Sequence, residues 1–93
     1  MRIVVREAAY RDIESIVEWF ERDNPSAASK MAARILSTIE DLGDFPGLGH
    51  PGWVAGTREW LVRNSPYIIV YSPHDDLVDV IAVFHGARDR DRE

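Results

Sequence analysis

The sequence has 93 residues, with 11 basic and 16 acidic side chains and a formal net charge of −5; its length fits a single small domain spanning residues 1–93. Because affinity for nucleic acids comes largely from a cationic surface, the negative charge argues against direct nucleic-acid binding. Cysteine is absent, which excludes disulfides, thiolate metal sites and cysteine nucleophiles.

The first half of the chain predicts a short strand followed by a helical hairpin. Residues 2–6 are β-branched in the middle and charged at both ends, which is typical of a strand. Between residues 8 and 22 the apolar side chains recur at helical spacing. Asn24 and Pro25 predict the N-cap and the first residue of a second helix, and Gly43 is expected to end it in the left-handed conformation. About two residues join the helices, so they should lie antiparallel.

The second half predicts a loop and three strands. Residues 44–57 are rich in glycine and contain prolines without helical periodicity, which indicates a loop. Three strand-like runs follow, separated by connections short enough for hairpins: 58–63, 67–71 and 77–85. The expected fold class is α+β in the order β-α-α-β-β-β, with the helical hairpin packed on one face of a small twisted antiparallel sheet. The other face should be exposed or covered by a partner, and residues 88–93 predict a frayed tail.

The sequence around two candidate binding motifs, one for phosphate and one for a metal ion, argues against both. Residues 47–52 match the phosphate-binding pattern G-x-G-x-x-G, but that pattern requires a preceding strand and a following helix. Here a predicted helix precedes and a strand follows, so we interpret the segment as a tight loop. The histidines His50, His74 and His85 lack the close pairing typical of zinc ligands, and we expect neither a metal nor a cofactor.

The sequence contains no segment that predicts membrane insertion or export. No apolar run approaches the roughly 20 residues of a membrane span. The charge at Arg6 interrupts the apolar N-terminus too early for a signal sequence. We therefore expect a soluble, cytoplasmic protein without a membrane partner.

His85 is the strongest candidate for acid–base chemistry. It ends an apolar strand and is followed by Gly86 and Arg88, and a histidine in such a position can transfer a proton. A hydrogen-bonded structural role at the strand end is the alternative. Arg58 could likewise hold a phosphate near His85 or simply form a surface ion pair.

Several motifs occur together along the chain: Ile3-Val4-Val5, Ile16-Val17-Glu18-Trp19-Phe20, Phe45-Pro46-Gly47-Leu48-Gly49, Gly56-Thr57-Arg58-Glu59, Tyr67-Ile68-Ile69-Val70-Tyr71 and Val83-Phe84-His85-Gly86-Ala87-Arg88-Asp89. In this combination the chain resembles, over essentially its whole length, the RelE/ParE superfamily of bacterial toxins from type II toxin–antitoxin modules. The resemblance implies a compact toxin with a role in plasmid stabilization. It also implies neutralisation by an antitoxin that wraps an extended or helical segment around the toxin.

The superfamily has two functional branches, and this sequence matches the ParE-like branch better. RelE-like members are ribosome-dependent ribonucleases with lysines on the second strand and an arginine just after the tyrosine of the third. This sequence has Glu59 and Leu61 on the second strand and Ile68 after Tyr67. The resemblance therefore implies a ParE-like toxin that poisons DNA gyrase and is not an enzyme.

Two alternatives to gyrase poisoning stay open. In a RelE-like mRNA endonuclease, Arg58 and Arg88 would hold the scissile phosphate and His85 would transfer the proton, with Glu59 as the carboxylate. A degenerate toxin would only bind its antitoxin.

An antitoxin is the expected partner in each case. Helices on one sheet face alone should leave apolar surface exposed, which the antitoxin would cover. Acidic antitoxin side chains are expected to bind arginines around that surface, with apolar anchors between them. The expected antitoxin-binding residues are Arg58, Trp60, Arg63, Tyr71, His85 and Arg88.

Overall fold

The computed structural model describes residues 1–89, which form two helices packed on a five-stranded sheet. The helices are α1 (Glu7–Glu21) and α2 (Pro25–Asp44). The strands are β1 (Arg2–Val5), β2 (His50–Pro51), β3 (Arg58–Leu61), β4 (Tyr67–His74) and β5 (Leu77–His85). The predicted α+β class and element order are confirmed, and β2 is an additional short strand inside the predicted loop.

The sheet is mixed rather than wholly antiparallel, with the strand order β1-β5-β4-β3-β2. The strands β3, β4 and β5 form the predicted antiparallel meander, whereas β1 pairs with β5 in parallel at one edge. The short connections that predict the meander say nothing about β1, because both helices intervene before β5. Val70 pairs with Ala82 and Tyr71 with Val80, so Ile81 is an extra, bulged residue in β5.

The helices cover one face of the sheet and build the core there. Apolar stripes on both helices face the sheet, as their spacing predicts. Ile35 and Leu42 of α2 are fully buried, and Ile69, Tyr71 and Val80 meet the helices from the sheet without exposed surface. Neither helix combines the length and apolarity needed to cross a membrane.

The start of α2 is as the sequence predicts, and its end is not. The Asn24 side chain accepts a hydrogen bond from the Ala27 amide at 3.1 Å, which confirms the N-cap. The helix continues through Gly43 to Asp44, so the expected left-handed end at Gly43 is wrong. The glycine serves a close approach instead, because a Cβ at Gly43 would lie 2.7 Å from Cδ1 of Ile3.

The described chain ends in a turn after β5. Two residues of the expected tail, Arg88 and Asp89, belong to this turn and hydrogen-bond to His85. The rest of that expectation, residues 90–93, lies outside the described residues.

Candidate partner-binding surfaces

The sheet has a second face that neither helix covers, here called the open face. Side chains alternate across a strand, so the residues between those that face the helices point away from the helices. By strand register, the open face comprises the apolar residues Val4, Leu61, Ile68, Val70, Leu77, Ala82 and Phe84 and the polar residues Arg2, His50, Glu59, Ser72, His74 and Asp79. Val4 and Leu61 expose 40% and 53% of their surface. The open face therefore combines apolar and polar residues and is partly exposed to solvent.

A groove of about 590 Å³ crosses the open face. Apolar side chains from the loop before β3, from β4 and from β5 line it: Val54, Val70, Ala82 and Phe84. Charged side chains also border it, among them Arg6, Asp12 and Asp89. An apolar centre with a polar rim is typical of protein-binding surfaces.

A bidentate ion pair between Arg6 and Asp79 lies at the edge of the open face. Nη2 of Arg6 is 2.6 Å from Oδ2 of Asp79, and Nε of Arg6 is 3.0 Å from Oδ1. These hydrogen bonds, and after them the charge of Asp79, raise the pKa of Arg6. Because Asp79 of the same chain already neutralises Arg6, little of the Arg6 charge is left to attract a partner.

A polar pocket of about 290 Å³ lies at the C-terminal end of β5, here called the His85 pocket. Its polar lining residues are Asp12, Ser15, Tyr67, His85, Arg88 and Asp89. Asp12 accepts a hydrogen bond from the Val83 amide at 2.9 Å and so ties α1 to β5. The rings of Tyr67 and His85 meet edge to face with 5.6 Å between centroids, and burial raises the pKa of Tyr67.

The turn after β5 fixes His85. Nδ1 of His85 accepts a hydrogen bond from the Arg88 amide at 3.0 Å, so the neutral ring carries its proton on Nε2. Oδ2 of Asp89 accepts from the His85 amide at 3.1 Å. Both bonds support the structural interpretation of His85, while Nε2 keeps a proton that it can donate. Within residues 1–89, no group of His, Asp and Glu side chains is arranged to hold a metal ion.

Tyr71 and Arg58 fasten the loop between α2 and β3 from the inside, and we call this pair the latch. The Tyr71 hydroxyl donates to the Pro46 carbonyl at 2.7 Å and accepts from the Gly49 amide at 2.9 Å. Nη1 of Arg58 donates to the Gly49 carbonyl at 2.5 Å. Burial raises the pKa of Tyr71, although the Gly49 hydrogen bond and the charge of Arg58 oppose that shift. Two expected antitoxin contacts therefore face the protein's own loop.

A second groove, of about 770 Å³, lies between α2 and the outer edge of β3, and we call it the β3 groove. Its apolar lining comes from Phe45, Leu48, Trp60 and Leu61, and its charged lining from Arg34, Arg63 and Asp41. Phe45 and Leu48 are exposed. Two of the expected antitoxin-binding residues, Trp60 and Arg63, thus lie in one apolar groove with arginines.

The four residues of the alternative catalytic set are not brought together. Arg58 pairs with Tyr71 and His85 pairs with Tyr67, positions four residues apart along β4, which corresponds to about 13 Å. Glu59 is 2% exposed and lies on the opposite face of β3 from Arg58. Of the set, only His85 and Arg88 share a pocket.

Sequence reasoning missed several residues of these surfaces. Phe45 and Leu48 are large apolar residues in a loop that lacks helical periodicity. Large apolar residues are unusual in such a loop, so they could have indicated a binding surface. Arg34 and Asp12 had no such signal, because each is one polar residue among many on a helix. The bond from Val83 to Asp12 spans 71 residues of chain, so only the folded arrangement reveals it.

The chain is similar to known proteins over most of its length. Residues 3–90 match the family model described as the ParE toxin of the type II toxin-antitoxin system, parDE. The chain is 36% identical over 78 residues to the putative toxin Y4kP of Sinorhizobium fredii, covering 84% of this chain and 80% of that protein. It is 31% identical over 80 residues to toxin RelE2 of Caulobacter vibrioides, covering 86% of this chain and 89% of RelE2.

A solved structure shares the fold. A chain of the chromosomal ParDE TA system from P. aeruginosa superposes with a TM-score of 0.83. The match covers 91% of this chain and 95% of that chain, at 18% sequence identity. At that identity the likeness concerns the arrangement of helices and strands alone.

Proposed function

This chain belongs to the ParE toxin family of type II toxin–antitoxin systems, and on that premise we propose that it arrests growth by poisoning DNA gyrase until a cognate antitoxin neutralises it. The neutralised form would be a complex in which the antitoxin covers surface that the folded toxin leaves exposed. Both the target and the mode of neutralisation belong to this proposal.

The open face is the surface that we assign to the antitoxin. Its groove is lined by apolar side chains, and apolar surface of this kind on a small domain favours a protein partner. Arg63 and Arg88 are exposed beside the β3 groove and in the His85 pocket, where antitoxin carboxylates can pair with them. Trp60 and His85 complete the proposed contacts, while Arg58 and Tyr71 act through the loop that they hold.

The chemistry of β3 carries the choice of gyrase over RNA. The strand has acidic Glu59 and apolar Leu61 where RelE-like toxins have lysines, and Arg58 donates to the Gly49 carbonyl. A scissile phosphate needs cations placed to bind it. The net charge of −5 further weakens attraction to a polyanion.

Messenger RNA cleavage is the rival function, and the His85 pocket is the observation that favours it. His85 and Arg88 lie in the same pocket, which joins a proton carrier to a cation. Against it, Nδ1 of His85 is already engaged by the Arg88 amide. Two carboxylates, from Asp12 and Asp89, also line the pocket and would repel a phosphate.

Controlled expression in the absence of antitoxin tests the proposal. We expect growth arrest together with a DNA-damage response, and we expect purified toxin to block supercoiling by gyrase in vitro. Co-expression of the antitoxin encoded next to the toxin gene should restore growth. His85→Ala should arrest growth as the unaltered chain does.

Two outcomes would contradict the proposal. Growth arrest with normal supercoiling and transcripts cut at discrete sites, as seen by primer extension, would favour the endonuclease. Loss of those cuts in His85→Ala would then assign the cleavage to the His85 pocket. Absence of any growth effect would indicate a degenerate toxin.

A further inference from the structure

The strand position next to β3 is only half occupied. β2 pairs its two residues with Arg58 and Glu59, and the pairing stops there. Continuing the same register would bring Leu48 opposite Leu61. The Leu48 amide instead donates to the Phe45 carbonyl at 3.1 Å, so Leu48 turns away from the sheet.

The backbone of Leu61 faces this unfilled position. The Val62 amide donates to the Tyr67 carbonyl of β4 at 2.8 Å, which sets the hydrogen-bonding phase of β3. In an antiparallel ladder alternate residues bond to the same neighbour, so Trp60 and Val62 bond to β4 and Leu61 points outward. Among residues 1–89, no backbone group bonds to the amide or carbonyl of Leu61 from that side.

The latch holds the residue that precedes β2. Tyr71 binds the Gly49 amide and Arg58 binds the Gly49 carbonyl. Both backbone groups of Gly49 therefore form hydrogen bonds with side chains of β3 and β4. In the β2 register Gly49 would lie opposite Trp60 with its backbone groups pointing away from β3, so the bonds to the latch are compatible with a strand at Gly49. The chain leaves the sheet at Leu48, whose amide bonds to the Phe45 carbonyl, and this turn leaves the position beside Leu61 vacant.

The surroundings of the vacancy suit a peptide of defined chemistry. Leu61 is exposed and lies in the β3 groove with Leu48 and Trp60, which offers apolar contact on both sides of a strand. Arg34 and Arg63 line the same groove together with one carboxylate, that of Asp41. Neither arginine forms an ion pair within residues 1–89, and Arg34 forms a 3.5 Å hydrogen bond with the neutral Asn64 carbonyl. A carboxylate on the peptide would complement these arginines.

We propose that an extended segment of the antitoxin fills this position and continues the sheet beyond β2. The segment forms hydrogen bonds with the amide and carbonyl of Leu61, as in other strand additions at sheet edges. Its apolar side chains pack on Leu48 and Trp60, and an Asp or Glu pairs with Arg34 or Arg63. This inference rests on the proposed function, since it takes the antitoxin as the partner.

Hydrogen exchange of single amides tests the strand pairing, with the unaltered toxin alone and bound to purified antitoxin from the adjoining reading frame. In the free toxin the Leu61 amide should exchange fast, while the amides of Trp60 and Val62, which bond to β4, exchange slowly. In the complex the Leu61 amide should slow by about 100-fold or more. The amides of Trp60 and Val62 serve as internal controls for global stabilisation.

A pair of variants tests the same hydrogen bond through affinity. Leu61→Pro removes the outward amide and spares the ladder to β4, whereas Leu61→Ala keeps the amide and removes only the side chain. We expect Leu61→Pro to bind the antitoxin about tenfold more weakly than Leu61→Ala. Thermal melting checks that both variants fold. If Leu61→Pro does not fold, the hydrogen-exchange measurement alone decides whether the strand pairs.

The outcomes separate this inference from the proposed function. Tight antitoxin binding that leaves the Leu61 amide in fast exchange overturns the strand addition and leaves the toxin–antitoxin proposal intact. Equal affinities of two folded variants overturn it as well. No binding to the antitoxin at all overturns both proposals together.

Discussion

The two faces of one sheet are built from the same strands yet stand in different environments. On the helix side, Ile69, Tyr71 and Val80 have no exposed surface. On the open face, their neighbours Ile68 and Val70 are only half-buried, and Leu61 is exposed. Strand alternation places apolar residues on both faces, but α1 and α2 cover only one of them.

The difference shows how folding and partner binding divide the apolar residues of a small domain. Burial of a large aliphatic side chain stabilises by about 1.5–3 kcal/mol relative to leaving it exposed. The helix side already has this stabilisation in the isolated chain. On the open face Phe84 is already buried, but the exposed and half-buried residues there gain this stabilisation only when a partner covers them. Substitutions of those residues and of the helix-side core should therefore affect different equilibria.

The largest expected effect compares neighbouring isoleucines of β4 that point to opposite faces. Ile69→Ala should lower the free energy of unfolding by about 2–5 kcal/mol, because Ile69 is fully buried. Ile68→Ala should cost less than half as much, because Ile68 is half-buried on the open face. Urea denaturation of both variants measures the difference, and equal losses would contradict a core on one face only.

The next effect tests the latch. Tyr71→Phe removes the donor to Pro46 and the acceptor for the Gly49 amide, and should cost about 1–3 kcal/mol of stability. Tyr67→Phe is the matched control, since the Tyr67 hydroxyl forms no side-chain hydrogen bond with residues 1–89. A Tyr71→Phe variant as stable as Tyr67→Phe would show that the loop does not depend on the latch.

A smaller effect is expected at alkaline pH. Burial raises the pKa of both Tyr67 and Tyr71 above the ordinary value of about 10, so the folded state holds their phenolic protons more tightly than the unfolded state. Their contribution to stability is complete below about pH 10 and is lost as the pH rises through the raised values. Unfolding measured from pH 8 to 12 should show this decline.

The double variant Tyr67→Phe plus Tyr71→Phe provides the control for the alkaline decline. It should be less stable at neutral pH but lose less of its remaining stability above about pH 10. An unchanged alkaline slope would assign the decline to other groups.

Most of the fold could be predicted because its signals are local. Helical spacing, the Asn24–Pro25 start of α2 and short hairpin links identify the elements and their order. The parallel pairing of β1 and the packing of Ile3 against Gly43 could not be predicted, because each depends on residues distant in the chain. The strand β2 could not be predicted because its two residues are too few to form a strand pattern.

The partner surfaces were predicted less completely than the fold. Exposed apolar surface on one sheet face follows from counting helices, but individual contacts do not. Arg58 was expected to face a partner, and it is drawn inward because Gly49 presents a carbonyl to it. The half-vacant position beside Leu61 depends on the same loop, and no residue pattern marks it.

The central claim is that the open face is where the antitoxin binds, and one pair of substitutions tests it most directly. Ala82 lies in the groove of the open face, and Ala33 is exposed on α2. Either alanine replaced by Gln should change the stability of the isolated chain by less than about 1 kcal/mol, the smallest effect considered.

Thermal unfolding with the antitoxin present then gives the deciding result. At an antitoxin concentration 100 times its dissociation constant, the unaltered chain and Ala33→Gln should each gain about 2.7 kcal/mol. Ala82→Gln should lose most of that gain, because its side chain occupies the groove. Full stabilisation of Ala82→Gln by the antitoxin would contradict the account.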